Sequence, residues 1–113
     1  MTARNPLTAA PPYPVESALK SLGANIRTAR LRRGLTAQEL AQRLGVGRDT
    51  VAEAERGKPA TAAAVYAGLL WALGLIDQLT EVADPARDVE GSTLAMAREK
   101  KRARPKETLD NDF

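Results

Sequence analysis

The strongest constraint on this chain is the stretch Leu35 to Lys58, LTAQELAQRLGVGRDTVAEAERGK, which encodes two short helices and the tight turn between them. Thr36 can accept hydrogen bonds from free backbone amides at a helix start, and Glu39, three residues on, completes a capping box. Leu40, Ala41 and Leu44 then recur at helical spacing, and Gly45 stands where a left-handed residue ends the helix and turns the chain. Val46 is apolar inside the turn, and Val51 and Ala54 follow on one face of the next segment, so turn and second helix close over one small core. The other face carries Arg48, Asp49, Thr50 and Glu53. Polar side chains displayed on a helix held at a fixed angle to its neighbour are what contact with base edges in a major groove requires.

The ordered set Gln38-Glu39-Leu40-Ala41, Leu44-Gly45-Val46, Thr50-Val51 and Glu55-Arg56-Gly57-Lys58 resembles the helix-turn-helix of the xenobiotic-response-element (XRE) family, which includes phage repressors and bacterial antitoxins. The resemblance implies an all-α fold: a small five-helix, phage-repressor-like domain over residues 16–83, used for DNA binding and dimerisation. It follows a flexible, extended or disordered arm over 1–15 and precedes a basic C-terminal extension over 84–113, partly helical or disordered. It also marks Gly47, Arg48, Asp49, Thr50 and Glu53 as base-reading positions, and Thr36, Gln38, Arg43, Arg56 and Lys58 as contacts to the sugar-phosphate backbone. Arg48 is the foremost base reader, because a guanidinium can donate two parallel hydrogen bonds to guanine O6 and N7. Asp49 and Glu53 only accept, so on DNA they would take a bond from cytosine N4 or orient Arg48; for Asp49 a salt link on the helix surface is the alternative. Two departures from the family are Gly47, where a Ser or Thr usually caps the second helix, and Ala54, smaller than the usual apolar residue. Glu55 reads as a structural residue bonding within the domain.

Composition narrows the chemistry. The 113 residues include no cysteine and no histidine, which removes disulfides, thiolate metal sites and the commonest catalytic base. No nucleophile and base are convincingly spaced, so no enzyme activity, catalytic residue, cofactor or metal is expected. No apolar run reaches the roughly 18 residues of a membrane span and the N-terminus has no signal pattern, so the expected location is the cytoplasm, without membrane contact. The net charge of +3 conceals segregation. Lys20 to Lys58 holds nine basic and four acidic residues, and Arg98 to Lys106 six and one, whereas Ala60 to Ala97 and Glu107 to Phe113 are acidic. Positive charge therefore gathers where phosphates would be met.

Along the chain, prolines at 6, 11, 12 and 14 mark the N-terminal arm, where Tyr13 is either part of a plain leader or a partner contact. Glu16 to Arg33 is a helix with Leu19, Leu22, Ile26 and Ala29 on one stripe and Arg27, Arg30, Arg32 and Arg33 mostly off it, and its arginines read as solvated or DNA-backbone contacts. Thr61 is the expected cap of a helix to Leu73, and Leu75, Ile76, Leu79 and Val82 form a further short stripe before Asp84-Pro85. Trp71, Leu75, Ile76 and Leu79, with Tyr66 near by, make a candidate dimer surface; the other reading is that Trp71 caps the core of its own chain. Val89 to Arg104 has helical composition, and Lys100 to Arg104 is either a solubilising tail or a nucleic-acid contact. Leu109 and Phe113, set around acidic residues, are candidates for docking into a partner or for a frayed end.

Beyond Leu22 the order helix-turn-helix, then Leu-Gly-Leu-Ile-Asp-Gln-Leu from Leu73 to Leu79, then Asp84-Pro85 and a basic, acid-ended tail resembles the HipB-like antitoxins encoded beside HipA-like kinases. That resemblance implies a homodimer, since paired domains read pseudo-palindromic half-sites about one helical turn apart. It further implies a repressor that binds a double-stranded DNA operator, autoregulates its operon and neutralises a HipA-like Ser/Thr kinase toxin. Two alternatives remain: a stand-alone repressor without a toxin partner, and, from a different class, a protein-only adaptor module. An adaptor would show no salt-dependent DNA binding.

Overall fold

The computed structural model describes residues 6–111, with side chains described as far as residue 103. The described residues form seven helices and no strand: α1 (Pro6–Ala9), α2 (Tyr13–Arg32), α3 (Ala37–Leu44), α4 (Arg48–Glu55), α5 (Ala63–Ala72), α6 (Ile76–Leu79) and α7 (Val89–Asn111). The chain divides into two compact units, one ending at Leu79 and the other beginning at Thr80. Phe113 lies outside the described residues, and so does the side chain of Leu109.

The first unit is built around α4, which packs on α2, α3 and α5. Its core joins Ile26 and Ala29 of α2, Leu40 and Ala41 of α3, Val51 and Ala54 of α4, and Tyr66, Leu69 and Leu70 of α5, with Leu73 just beyond. Ile26, Leu40, Val51 and Leu69 are the largest side chains fully withdrawn from water. Each such burial stabilises the fold by about 1.5–3 kcal/mol, so this layer orients every helix around α4. The apolar face of α5 extends through Leu75 and Ile76, which pack partly against the same core.

Both ends of α3 form as its residues dictate. The Thr36 hydroxyl accepts from the Glu39 amide at 3.0 Å, and the Glu39 carboxylate accepts from the Thr36 amide at 3.0 Å. At the other end Gly45 adopts φ 70, and the Val46 amide donates back to the Ala41 carbonyl at 3.0 Å. A left-handed residue turns the chain within two residues, and glycine does so without a Cβ penalty.

Several elements differ from the sequence expectation. Residues 6–9 of the arm are one helical turn, and α2 starts at Tyr13, three residues before Glu16. Pro12 is the N-cap, and Pro14 sits in the first turn, where the missing amide would have had no partner. Thr61 does not cap α5: Ala62 is at the cap, and the buried Thr61 hydroxyl has no hydrogen-bond partner. Tyr66 turns inward, its hydroxyl 3.3 Å from the Lys58 carbonyl. Trp71 is 60% exposed and does not cap the core of its own chain.

The second unit has no buried residue among positions 80–103. Its order is local. The Asp84 carboxylate accepts from the Ala86 amide at 2.9 Å, and the Asp88 carboxylate accepts from the Gly91 amide at 2.9 Å at the start of α7. An aspartate over the first free amides is a preferred helix cap. The helix continues past Pro105, beyond the expected end at Arg104. The carbonyl that a proline leaves unpaired, four residues back at Lys101, belongs to an exposed residue open to water.

Candidate nucleic-acid interface

The sequence RDTVAEAE forms α4 with Val51 and Ala54, three residues apart, both completely buried, while Arg48 and Asp49 are exposed and Thr50, Ala52 and Glu53 are half-buried. Gly47 precedes the helix in extended conformation, and its carbonyl accepts from the Thr50 amide at 3.1 Å. It offers no side-chain cap, so the first turn keeps free amides at its positive end. Arg48 and Asp49 are exposed there, and Thr50 and Glu53 are half-buried. Among the described residues none bonds the side chains of Arg48, Asp49 or Glu53, so the surface salt link considered for Asp49 is not formed.

What aims α4 is a fork of hydrogen bonds from α2. Arg30 Nε donates to Glu55 Oε2 at 2.6 Å and Nη2 to Oε1 at 2.9 Å, while Nη1 donates to the Leu35 carbonyl at 2.9 Å. One guanidinium thus ties α2 to the end of α4 and to the residue leading into α3. The two side chains are only 11% and 7% exposed. The hydrogen bond to Glu55 raises the Arg30 pKa above its ordinary value, with desolvation opposing and the opposite charge adding to the rise. Arg30, expected among the solvated or DNA-backbone arginines of α2, is therefore structural. Glu55 takes the structural role its position implied.

The remaining candidates fall into three places. Arg56 and Lys58 are exposed just after α4 and line a shallow groove with Gly57, Pro59, Lys20, Glu16 and the turn near Thr8. Lys20 is a cation that sequence reasoning did not place in this group; α2 brings it there, and it pairs with Glu16 at 2.8 Å. That hydrogen bond, first, and the neighbouring charge raise its pKa. Thr36 and Gln38 are exposed at the start of α3. Arg43 sits near the other end of α3, where Nη1 reaches the Ala72 carbonyl at 3.4 Å at the end of α5. The basic segment beginning at Lys20 was the only signal in the sequence; its place beside Arg56 and Lys58 depends on how α2 packs against the end of α4, more than thirty positions away.

A family model described as a helix-turn-helix domain matches residues 21–83. The chain belongs to that family. The comparison with curated proteins gave no match, and the comparison with solved structures gave none either. The matched span holds the helix-turn-helix pair α3 and α4, most of α2, and α5 and α6, and leaves α7 outside. An XRE-like DNA-binding regulator is the class this supports. No helix of the described residues is long and apolar enough to cross a membrane, and no described group of three or more His, Cys, Asp or Glu could hold a metal ion.

Proposed function

We propose that this helix-turn-helix protein is a sequence-specific transcriptional repressor that reads operator DNA with α4. The observation that carries the reading is the division of α4: one face is fully buried and clamped by Arg30 and Glu55, while Arg48 and Asp49 at its amino end are exposed and unpaired. A rigidly held helix with free donors and acceptors at its first turn is built for base edges. Arg48 is assigned to guanine, with Gly47, Asp49, Thr50 and Glu53 beside it. Thr36, Gln38, Arg56 and Lys58 are assigned to phosphates. Arg43 belongs to that set by family position, although its guanidinium is turned to α5.

The repressor acts as a homodimer in this reading, with Trp71 and Leu79 as exposed apolar contacts and Leu75 and Ile76, partly buried against the core, beside them in sequence. Exposed aromatic surface of this kind supplies the centre of protein interfaces. In its finer form the proposal makes the chain an antitoxin that autoregulates its operon and neutralises a HipA-like kinase, with Leu109 and Phe113 offered to the toxin. Support for that form is the segment order and a C-terminal unit separate from the helix-turn-helix unit. Copurification of a neighbouring gene's kinase would separate it from a stand-alone repressor.

The test is titration of a duplex carrying the gene's own promoter. The full chain is expected to bind with two copies per site, and Arg48→Ala to weaken this binding by about 1–3 kcal/mol while leaving non-specific affinity nearly unchanged. Unaltered affinity and base preference would remove α4 as the reader.

A further inference from the structure

α7 has 23 residues, and none from Val89 to Ala103 is buried. Most helical stability in proteins comes from packing an apolar face, so a helix left this bare owes its sequence to something other than a core. Its positive charges form one run in the middle of the helix, between Glu90 in the first turn and Glu107 and Asp110 beyond. Arg98, Lys100, Lys101 and Arg102 stand against Glu99 alone, and Arg104 and Lys106 continue the run in the sequence. The four described cations are exposed, and none forms an ion pair or hydrogen bond through its side chain with another described residue.

The arrangement opposes the stability of the helix itself. Arg98 lies three residues from Lys101 and four from Arg102, the spacings at which like charges on a helix repel by a few tenths of a kcal/mol per pair. Arg98 and Arg102 line one open face together with Gly91, Leu94, Ala95 and Glu99, two cations against one carboxylate. At about 1.5 Å of rise per residue the two guanidinium groups are rooted about 6 Å apart along the axis. Successive phosphates on one DNA strand rise about 3.4 Å each, so the pair covers roughly two nucleotides of backbone. Counter-anions at that spacing would remove the repulsion.

We propose that α7 is a second DNA-contacting element, in which Arg98, Lys101 and Arg102 bind the phosphates of duplex DNA without reading bases. Phosphate is favoured over a protein partner by what the basic run lacks. From Arg98 to Lys106 it carries no aromatic or large aliphatic residue to fill the buried centre of a protein interface; the exposed Leu94 and Met96 precede the run, and Leu109, offered above to a protein partner, follows it. The inference rests on the DNA-binding reading of α4 and extends the footprint beyond the residues that the family model covers.

The experiment uses the full chain and the variant Arg98→Gln/Lys101→Gln/Arg102→Gln, with affinity measured against salt on the promoter duplex and on an unrelated duplex. Each lost phosphate contact makes the slope of log K against log salt shallower by about 0.9, so the triple variant is expected to lose up to about 2.7 on both duplexes. Affinity at low salt falls on both together, on the order of tenfold or more. Circular dichroism checks that α7 and the domain remain helical. An unchanged slope overturns the proposal, whether the tail serves only for solubility or meets an acidic protein; so does a loss confined to the promoter duplex. Arg48→Ala run in parallel keeps the two readings apart. A wild-type chain that binds no duplex at all defeats both roles, whereas intact, Arg48-dependent binding with an unchanged slope in the triple variant defeats only that of α7.

Discussion

Glu55→Ala is expected to lower the free energy of unfolding by about 3–5 kcal/mol, measured as a drop in urea midpoint at unchanged slope. The reason is the residue left behind. Arg30 is buried, and Glu55 supplies two of the three hydrogen bonds made by its guanidinium. An arginine has no neutral form to retreat to at any pH where the protein folds, so the uncompensated charge must be solvated or the helices must part. Because Glu55 raises the Arg30 pKa, this contribution is fully present below the ordinary arginine value and is lost only as pH rises through the still higher folded value, so it is constant across the neutral range. Small domains are stable by only about 5–15 kcal/mol, so the loss takes a large share of the total. Glu55→Gln, which keeps a hydrogen-bond acceptor, is expected to cost less. Arg30→Met combined with Glu55→Leu is expected to recover most of the stability, because well-packed apolar residues replace buried ion pairs at little cost. A loss below about 1 kcal/mol in Glu55→Ala would show that the pair does not clamp α4. Promoter binding should fall further than non-specific binding in that variant, since the fork also sets the aim of the reading helix.

The Arg30–Glu55 pair illustrates what a sequence discloses and what it withholds. Local determinants were legible because the interacting groups are neighbours in the chain. Thr36 and Glu39 are three apart, Gly45 ends α3 within its own turn, and Val51 and Ala54 define the inner face of α4 by helical spacing alone. The partner of Arg30 lies 25 residues away, and four arginines crowd the last turns of α2, so nothing local distinguishes the one that turns inward. Glu55 was readable as structural from its place in the motif, but its counterpart was not. The same limit applies to Lys20, which reaches Arg56 and Lys58 only through the crossing of α2 and α4. At Thr61 a good capping residue was overruled by one position: the chain leaves the Lys58–Thr61 turn with Ala62 in the cap and the threonine hydroxyl turned inside. Propensity ranks local options, and the packing of Tyr66 and Leu69 chooses among them.

Gly57→Ala is expected to destabilise by about 2–5 kcal/mol, well beyond Gly45→Ala, although both glycines have φ 70. The shared part is the left-handed backbone, which costs an L-residue with a Cβ about 1–2 kcal/mol. At Gly45 that is the whole effect, because a Cβ built there meets nothing within 4 Å. At Gly57 the same atom would fall on the Leu19 carbonyl oxygen and lie 2.6 Å from the Lys20 Cα, and neither backbone can rotate away as a side chain could. Gly23 faces the reciprocal limit one turn further along α2, where a Cβ would come within 2.5 Å of the Ala54 carbonyl. The two glycines therefore set how closely α2 crosses α4. That crossing holds Lys20 beside Arg56 and Lys58, so a shift large enough to admit a methyl group displaces Lys20 relative to the assigned phosphate contacts Arg56 and Lys58. Comparing the two alanine variants by urea unfolding isolates the close approach from the backbone strain. Equal losses would mean that the helices are free to separate and that the crossing is not what fixes the interface.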